Sequence, residues 1–465
     1  MTGSFSSLNT ALTALRYHRV TLDVASNNVA NAATEGYTRR RAVGESLGAG
    51  AVPALWSRYP DGLDAVGGGV GVKGVDRLAD GLLDARSRSE NGRSSCLQLR
   101  STVLQRVESG LGEPGTTGVA AALASFRTSW HDLANTPESG AARGQVLARA
   151  EALVDAVHAQ AAAIDEESAT QRVSLLSSVT EVTTRAGELA ATNRAISAAA
   201  LDGVDASDLL DQRDQIAMRL AQLTGGKAVT RPDGGFDFNV GSVALVSGVQ
   251  AGTLSVATGV TASGAADGNP VSLTVTLGAT TTTTGALGGE IGATTELLDT
   301  TLPGYASGLA SVVEGLATQV NGLHTAGYDA TGATGQAFFT FTAGDAARTL
   351  SVNLTSPTQV AAAATPGGVI DGTQADRLAA TGAAEDAYTS LVTGFGTTVA
   401  SAQRLSSTQD LLTKQVDSAR EQLSGVNIDE EMVTMLAAQR AYEAAARVMT
   451  VVDSVLDTLI NRTAR

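Results

Sequence analysis

Apolar residues recur at three- and four-residue steps at both ends of the chain. Near the C-terminus, Ile428, Met432, Met435, Ala438, Tyr442, Ala445, Met449, Val452, Leu456 and Leu459 form one continuous seam. Near the N-terminus, Leu8, Ala11, Leu15, His18, Leu22, Ala25 and Val29 trace a shorter one. Each pattern predicts a helix with a single apolar face, and a seam repeating near every 3.5 residues is best buried against another helix. The two ends are therefore expected to form a stem, by pairing with each other or with copies of the chain. Everything between them would hang from that stem as one excursion.

The middle alternates between two regimes. From about Asp76 to Leu223 the spacing is helical, broken at Gly110 to Gly118, Asn135 to Gly140 and Gly203 to Asp205. One helix is predicted from about Ala141 to Ala200, with Val146, Leu153, Val157, Ile164, Val173, Leu176, Val179, Leu189 and Ile196 near helical spacing. From Gly225 to about Gly289 the composition turns to Gly, Thr, Val and Ser. Phe236 to Val240, Val243 to Val246, Leu254 to Ala257 and Val271 to Leu277 then read as strands with turns between. Helix is expected again from Gly288 to about Thr325 and from Gln374 to Leu423. Between these lies a Gly/Thr-rich stretch with one strand, Leu350 to Leu354.

The fold class is thus α+β and predominantly α, with a coiled-coil-like stem, an elongated helical domain and a small inserted β domain. Residues 1–45 with 425–465 are expected to form the terminal unit. Residues 46–224 with 290–424 form the helical core, and 225–289 the β insert. At 465 residues the chain is long enough for about three domains with ample core.

Charge narrows the classes of partner. The net charge is −15, which argues against a nucleic-acid partner, since phosphate binding needs a basic surface. Lysine occurs only at Lys73, Lys227 and Lys414, so the positive charge is nearly all arginine. No apolar run is long enough to insert in a membrane, and no basic start with an apolar core marks a signal peptide. Those rules alone would place the protein in the cytoplasm. Cys96 is the single cysteine, which excludes an intramolecular disulfide and reads as a small helix residue.

The flanks of the two seams carry more information than the seams. The first ends in Ala25-Ser26-Asn27-Asn28-Val29-Ala30-Asn31, followed by Gly36-Tyr37-Thr38-Arg39. Asn-rich segments favour helix ends and turns, and glycine permits positive φ. The second opens with Ser424-Gly425-Val426-Asn427-Ile428-Asp429-Glu430-Glu431 and continues through Gln439-Arg440-Ala441-Tyr442. There Asn427 or Asp429 can cap a helix whose first turn is acidic. Together these resemble the opening and closing signatures of the rod, hook and hook-associated proteins of the bacterial flagellum. Inside the chain, Asp208-Leu209-Leu210-Asp211-Gln212-Arg213-Asp214 resembles a motif of the hook-associated protein 1 branch of that family, and not generally of hook or rod subunits.

The resemblance implies a structural component of the flagellum that forms the junction ring between hook and filament through its terminal helices. It implies as partners copies of the chain, the hook subunit, a second hook–filament junction protein, and a cytoplasmic export chaperone on the C-terminal helix. A Met-rich amphipathic helix also suits a temporary helix-in-groove partner. It further implies secretion through the flagellum's own type III export channel, which overrides the cytoplasmic reading. Another axial protein, such as the hook subunit, is the alternative within the family. A surface-exposed adhesive module borrowing the stem is the alternative outside it. The Asp208–Asp214 motif and the long helical region favour the junction role.

Chemistry is scarce. His18, His131, His158 and His324 are far apart and none has metal-ligand spacing. Asp208 and Asp211 lie about one helical turn apart, as paired catalytic carboxylates can, yet no histidine or second acid pair accompanies them, and acids are expected near a helix N-terminus. Gly69-Val70-Gly71-Val72-Lys73-Gly74 matches G-x-G-x-x-G but has no apolar strand before it to make a nucleotide fold. An enzyme is not expected, nor a cofactor or a metal.

Overall fold

The computed structural model describes residues 2–47, 68–113, 115–367 and 370–458. Its elements follow the breaks in the pattern closely. Helix α1 (Thr2–Ala30) is followed by two strands, β1 (Arg40–Leu47) and β2 (Gly69–Arg77), paired antiparallel from Arg40↔Arg77 to Leu47↔Gly69. The G-x-G-x-x-G match lies inside β2, in register with β1, where no phosphate loop can form. The helical run starts later than the pattern suggests. Asp80 caps α2 (Gly81–Leu111) by accepting from Leu82 N at 2.8 Å and Leu83 N at 3.2 Å.

Helices α3 (Val119–Asn135), α4 (Gly140–Asp202) and α5 (Ser207–Thr224) come next. Ser139 caps α4, which ends at Gly203 in the left-handed region, φ +65°, where an L side chain would be strained. At 63 residues α4 is roughly 95 Å long, and it is the axis of the molecule.

The β region forms two sheets. Strands β3 (Lys227–Thr230), β4 (Phe236–Val240), β5 (Val243–Ser247) and β6 (Gln250–Ala251) make an antiparallel meander; β7 (Thr253–Thr258), β8 (Ser272–Leu277) and β9 (Thr280–Thr283) make a second. Their apolar faces close on helices rather than on a core of their own. Phe236, Phe238, Leu245, Leu254, Leu273 and Val275 share one cluster with Leu175, Val182 and Leu189 of α4 and Leu220 of α5.

The return passes through α6 (Gly289–Glu296), a π turn at Leu297–Thr301, and α7 (Leu302–Thr325). The expected strand at Leu350 to Leu354 is reduced to β11 (Ser351–Val352), paired with β10 (Phe339–Thr340) across a short α8 (Ala346–Thr349). Leu350 and Leu354 are buried on either side of it, so their apolar signal came from core packing, not from a long ladder. The helix expected from Gln374 to Leu423 is two, α9 (Thr373–Ala379) and α10 (Ala383–Ser424), and α11 (Ile428–Asp457) ends the described chain.

Two further apolar clusters complete the body. One joins α3, the first half of α4, α7 and α9 around Phe126, Trp130, Phe338, Phe339 and Tyr388. The other joins α2, α7 and α10 through Leu104, Tyr305, Phe395 and Val399. Helices α1 and α11 pair antiparallel outside all three, since the end of α1 meets the start of α11, and the β1–β2 ribbon lies along α1.

Candidate assembly interface and its junction

The stem resolves the C-terminal seam into two rows. Met435, Ala438, Ala445, Met449, Val452 and Leu456 are buried or half-buried toward α1, together with Glu431, Thr434 and Ala441. Ile428, Met432 and Tyr442 belong to the outer flank instead, with exposures of 49%, 52% and 38%. The reason is angular: at about 100° per residue Met432 lies roughly 120° around the helix from Ala438, the most buried apolar residue of α11, and so past the edge of its contact with α1. On α1, Leu8, Leu15, Leu22 and Val29 are all half-buried; Leu459 lies outside the described residues.

The outer surface of α11 carries a second apolar row. Val433 and Leu436 lie one turn apart, and Val448, Val451 and Val455 follow on the same face beyond Arg440, Ala444 and Arg447; the five apolar side chains are each between 45% and 67% exposed. Among the described residues this row packs on no other element.

Where the stem meets the body, the sequence motifs converge. Asn28 is fully buried, and each atom of its amide is used. Its Nδ2 donates to Arg40 O at 2.9 Å and to Glu431 Oε2 at 3.0 Å, and its Oδ1 accepts from Arg40 N at 3.1 Å and Tyr37 Oη at 2.9 Å. The opening and closing motifs thus touch directly, although Asn28 and Glu431 are 403 positions apart. Arg39 adds two ion pairs, to Glu431 at 2.7 Å and Glu430 at 2.8 Å. Asn427 caps α11 by accepting from Asp429 N at 3.0 Å. Asn27 and Asn31 bond one another at 2.8 Å and close the end of α1. Gly36 has φ +76°, where an L side chain is strained, and a Cβ there would also push aside the Gln215 side chain that bonds Glu35 O.

The acids of the internal motif are not helix caps. Asp211 lies between two guanidiniums: Arg77 reaches it at 2.6 Å and Arg40 at 3.1 Å. Asp214 takes Arg77 at 2.9 Å and Arg213 at 2.7 Å, while Asp208 pairs with Arg40 at the exposed rim. Arg213 stacks 3.7 Å from the Phe236 ring centroid, tying the motif to the sheet. Burial disfavours the Arg40 charge, but its bonds to Asp208 and Asp211 outweigh this and hold its pKa above the ordinary value. Burial raises the Tyr37 hydroxyl, against the opposing pull of Arg40. Gln439 lies away from this cluster, exposed beside Glu443.

Sequence reasoning had not assigned Arg40, Arg77 or Glu431 to the site. The dominance of arginine over lysine is the available signal, because the planar fork presents several N–H groups in fixed directions to neighbouring carboxylates. Among the described residues no group of three or more His, Cys, Asp or Glu side chains could hold a metal ion, and no helix is long and apolar enough to cross a membrane.

A stem built from both chain ends, carrying an excursion of helices and small sheets, defines an axial structural protein, and sequence comparison gives the same class. Residues 8–38 match the flagella basal body rod protein family, and residues 420–462 the C-terminal region of the flagellar basal body rod FlgEFG proteins. Residues 104–339, just over half the chain, match the helical domain of flagellar hook-associated protein FlgK. The chain belongs to the FlgK family of flagellar hook-associated proteins, structural components at the hook–filament junction. Flagellar hook-associated protein 1 of Bacillus subtilis is 27% identical, with 99% of each chain covered. That of Escherichia coli is 25% identical over 98% of this chain and 99% of its own. The solved flagellar hook junction protein FlgK from Burkholderia pseudomallei has the same fold, with a TM-score of 0.64 at 15% identity, covering 72% of this chain and 99% of that one.

Proposed function

We infer that copies of this chain assemble through their α1–α11 stems into a ring that joins hook to filament. The observation that carries the reading is the outer row of α11. Among the described residues Val433 and Leu436, and Val448, Val451 and Val455 further along the same face, remain exposed when the α1–α11 pair is complete, and such apolar groups are buried by further helices. The ring would contact the hook subunit on one side and a second junction protein on the other, with the body turned outward. Before assembly the same row would be held by an export chaperone, and the chain would leave through the flagellar export channel.

Leu436→Asp or Val451→Asp tests the assignment. Both sites are exposed in the single chain, so the purified variants should keep wild-type circular dichroism and melting temperature. Burying an unpaired charge between helices costs several kcal/mol, about enough to block insertion into a ring. Cells carrying either variant should build hooks, shed filament subunits into the medium and fail to swim. Normal filaments on such cells would refute the interface.

A further inference from the structure

We propose that the acidic face of α5 is an electrostatic latch that fixes the angle between stem and body. The stem consists of α1, β1, β2 and α11, and the body of α2 to α10 with its sheets. The chain crosses between them at Leu78–Asp80 and again at Gly425–Asn427. Among the described residues, none of the three apolar clusters contains a stem residue. Among the described residues, then, no apolar cluster of the kind that orients elements elsewhere in this molecule bridges the joint.

What spans the joint is polar and directional. Arg40 on β1 and Arg77 on β2 reach across to Asp208, Asp211 and Asp214 on α5, and Arg77 also bonds Thr38 Oγ1 at 3.0 Å. Gln215 of the same helix donates to Glu35 O at 2.6 Å, and Arg39 N donates to Ser424 O at 2.8 Å beside the second crossing. The side chains of Arg40, Arg77, Asp211 and Asp214 are each only 9% exposed, so solvent screens the cluster weakly. Arg77 contacts both Asp211 and Asp214, and Asp211 both arginines, so the contact fixes a direction as well as a distance. Two open polar clefts of about 690 and 890 Å³ flank it, sharing Gly36, Asp417 and Arg420 among their walls. They leave the stem room to tilt once the charges part. The latch is independent of what the stem assembles with, and it stands or falls separately from the junction role.

Pulsed electron resonance between spin labels on the two units tests it. The full-length chain would carry Cys96→Ser, with labels at Gln98→Cys on α2 and Ala444→Cys on α11, both exposed positions. The expected result is one narrow distance distribution in this background and loss of that single distance in Asp211→Asn. The pair Arg40→Gln with Arg77→Gln removes the latch from the stem side without touching α5, and should broaden the distribution in the same way. Asp165→Asn, which breaks an ion pair to Arg348 inside the body, should leave it narrow. A narrow, unshifted distance in the double arginine variant overturns the proposal, whether Asp211→Asn folds or not. Equal broadening in Asp165→Asn overturns it as well.

Discussion

His324 shows how one side chain can tie folding to pH. It is fully buried on α7, edge-on to Trp130 and Phe338. Its Nδ1 lies 2.6 Å from Gln336 O, and its Nε2 accepts from Ala361 N at 2.9 Å. One nitrogen must donate and the other accept, so only the neutral tautomer satisfies both bonds. Burial lowers its pKa from 6.5 to about 4. In the unfolded chain the ring takes a proton near pH 6.5, while in the folded chain it resists until near 4, so the unfolded state binds more protons in this window. Stability from this group is complete above about pH 6.5 and declines by roughly 3 kcal/mol as pH falls to about 4. Chemical denaturation at stepped pH should show this slope, and His324→Leu should remove it. The same variant strands Ala361 N–H and Gln336 O, at a cost of about 2–4 kcal/mol near neutral pH. Sequence alone marked His324 only as a histidine without metal-ligand spacing, because its partners are backbone groups from a distant loop.

Among the elements, α11 best separates pattern from packing. A helix seam was legible from the three- and four-residue spacing, but the spacing could not say which flank met α1. Ala438 is 4% exposed on the inner row, and Val451 is 61% exposed on the outer row. Ala438→Asp places a carboxylate in the α1–α11 contact and should unpair the stem, costing about 3 kcal/mol or more. Limited proteolysis of the purified chain should then cut within α1 and α11 first, leaving the body intact. Val451→Asp should leave the cleavage pattern of the single chain unchanged. The Asp208–Asp214 motif behaved similarly. Its place at the start of a helix was readable, whereas its partners, Arg40 and Arg77, come from strands more than a hundred residues upstream.

Across the whole molecule, α4 couples the clusters. Its first half enters the aromatic core through Val146, Leu153 and Val157, Ile164 enters the central one, and Leu175 to Leu189 enter the core shared with the sheets. Thr170 is exposed between the last two. Thr170→Pro removes one backbone bond and clashes with the preceding turn, costing about 3 kcal/mol, with no core side chain disturbed. Calorimetry should show the unfolding of the two halves separating into two transitions. A single transition shifted down as one would mean that the coupling runs through α2, α6 and α7 instead.

Periodicity and turn residues determined the order, type and most boundaries of the helices. The paired terminal signatures determined the family. These are local properties: a cap, a glycine or an apolar step acts within a few residues of itself. Only the tertiary structure decided which row of α11 is inside, that the two sheets share a core with α4 and α5, and that Asn28, Glu431, Arg77 and Asp211 meet at one polar joint. Those outcomes depend on which distant surfaces fit and which buried charges find partners. Packing geometry and Coulomb attraction settle both in three dimensions, between residues far apart along the chain.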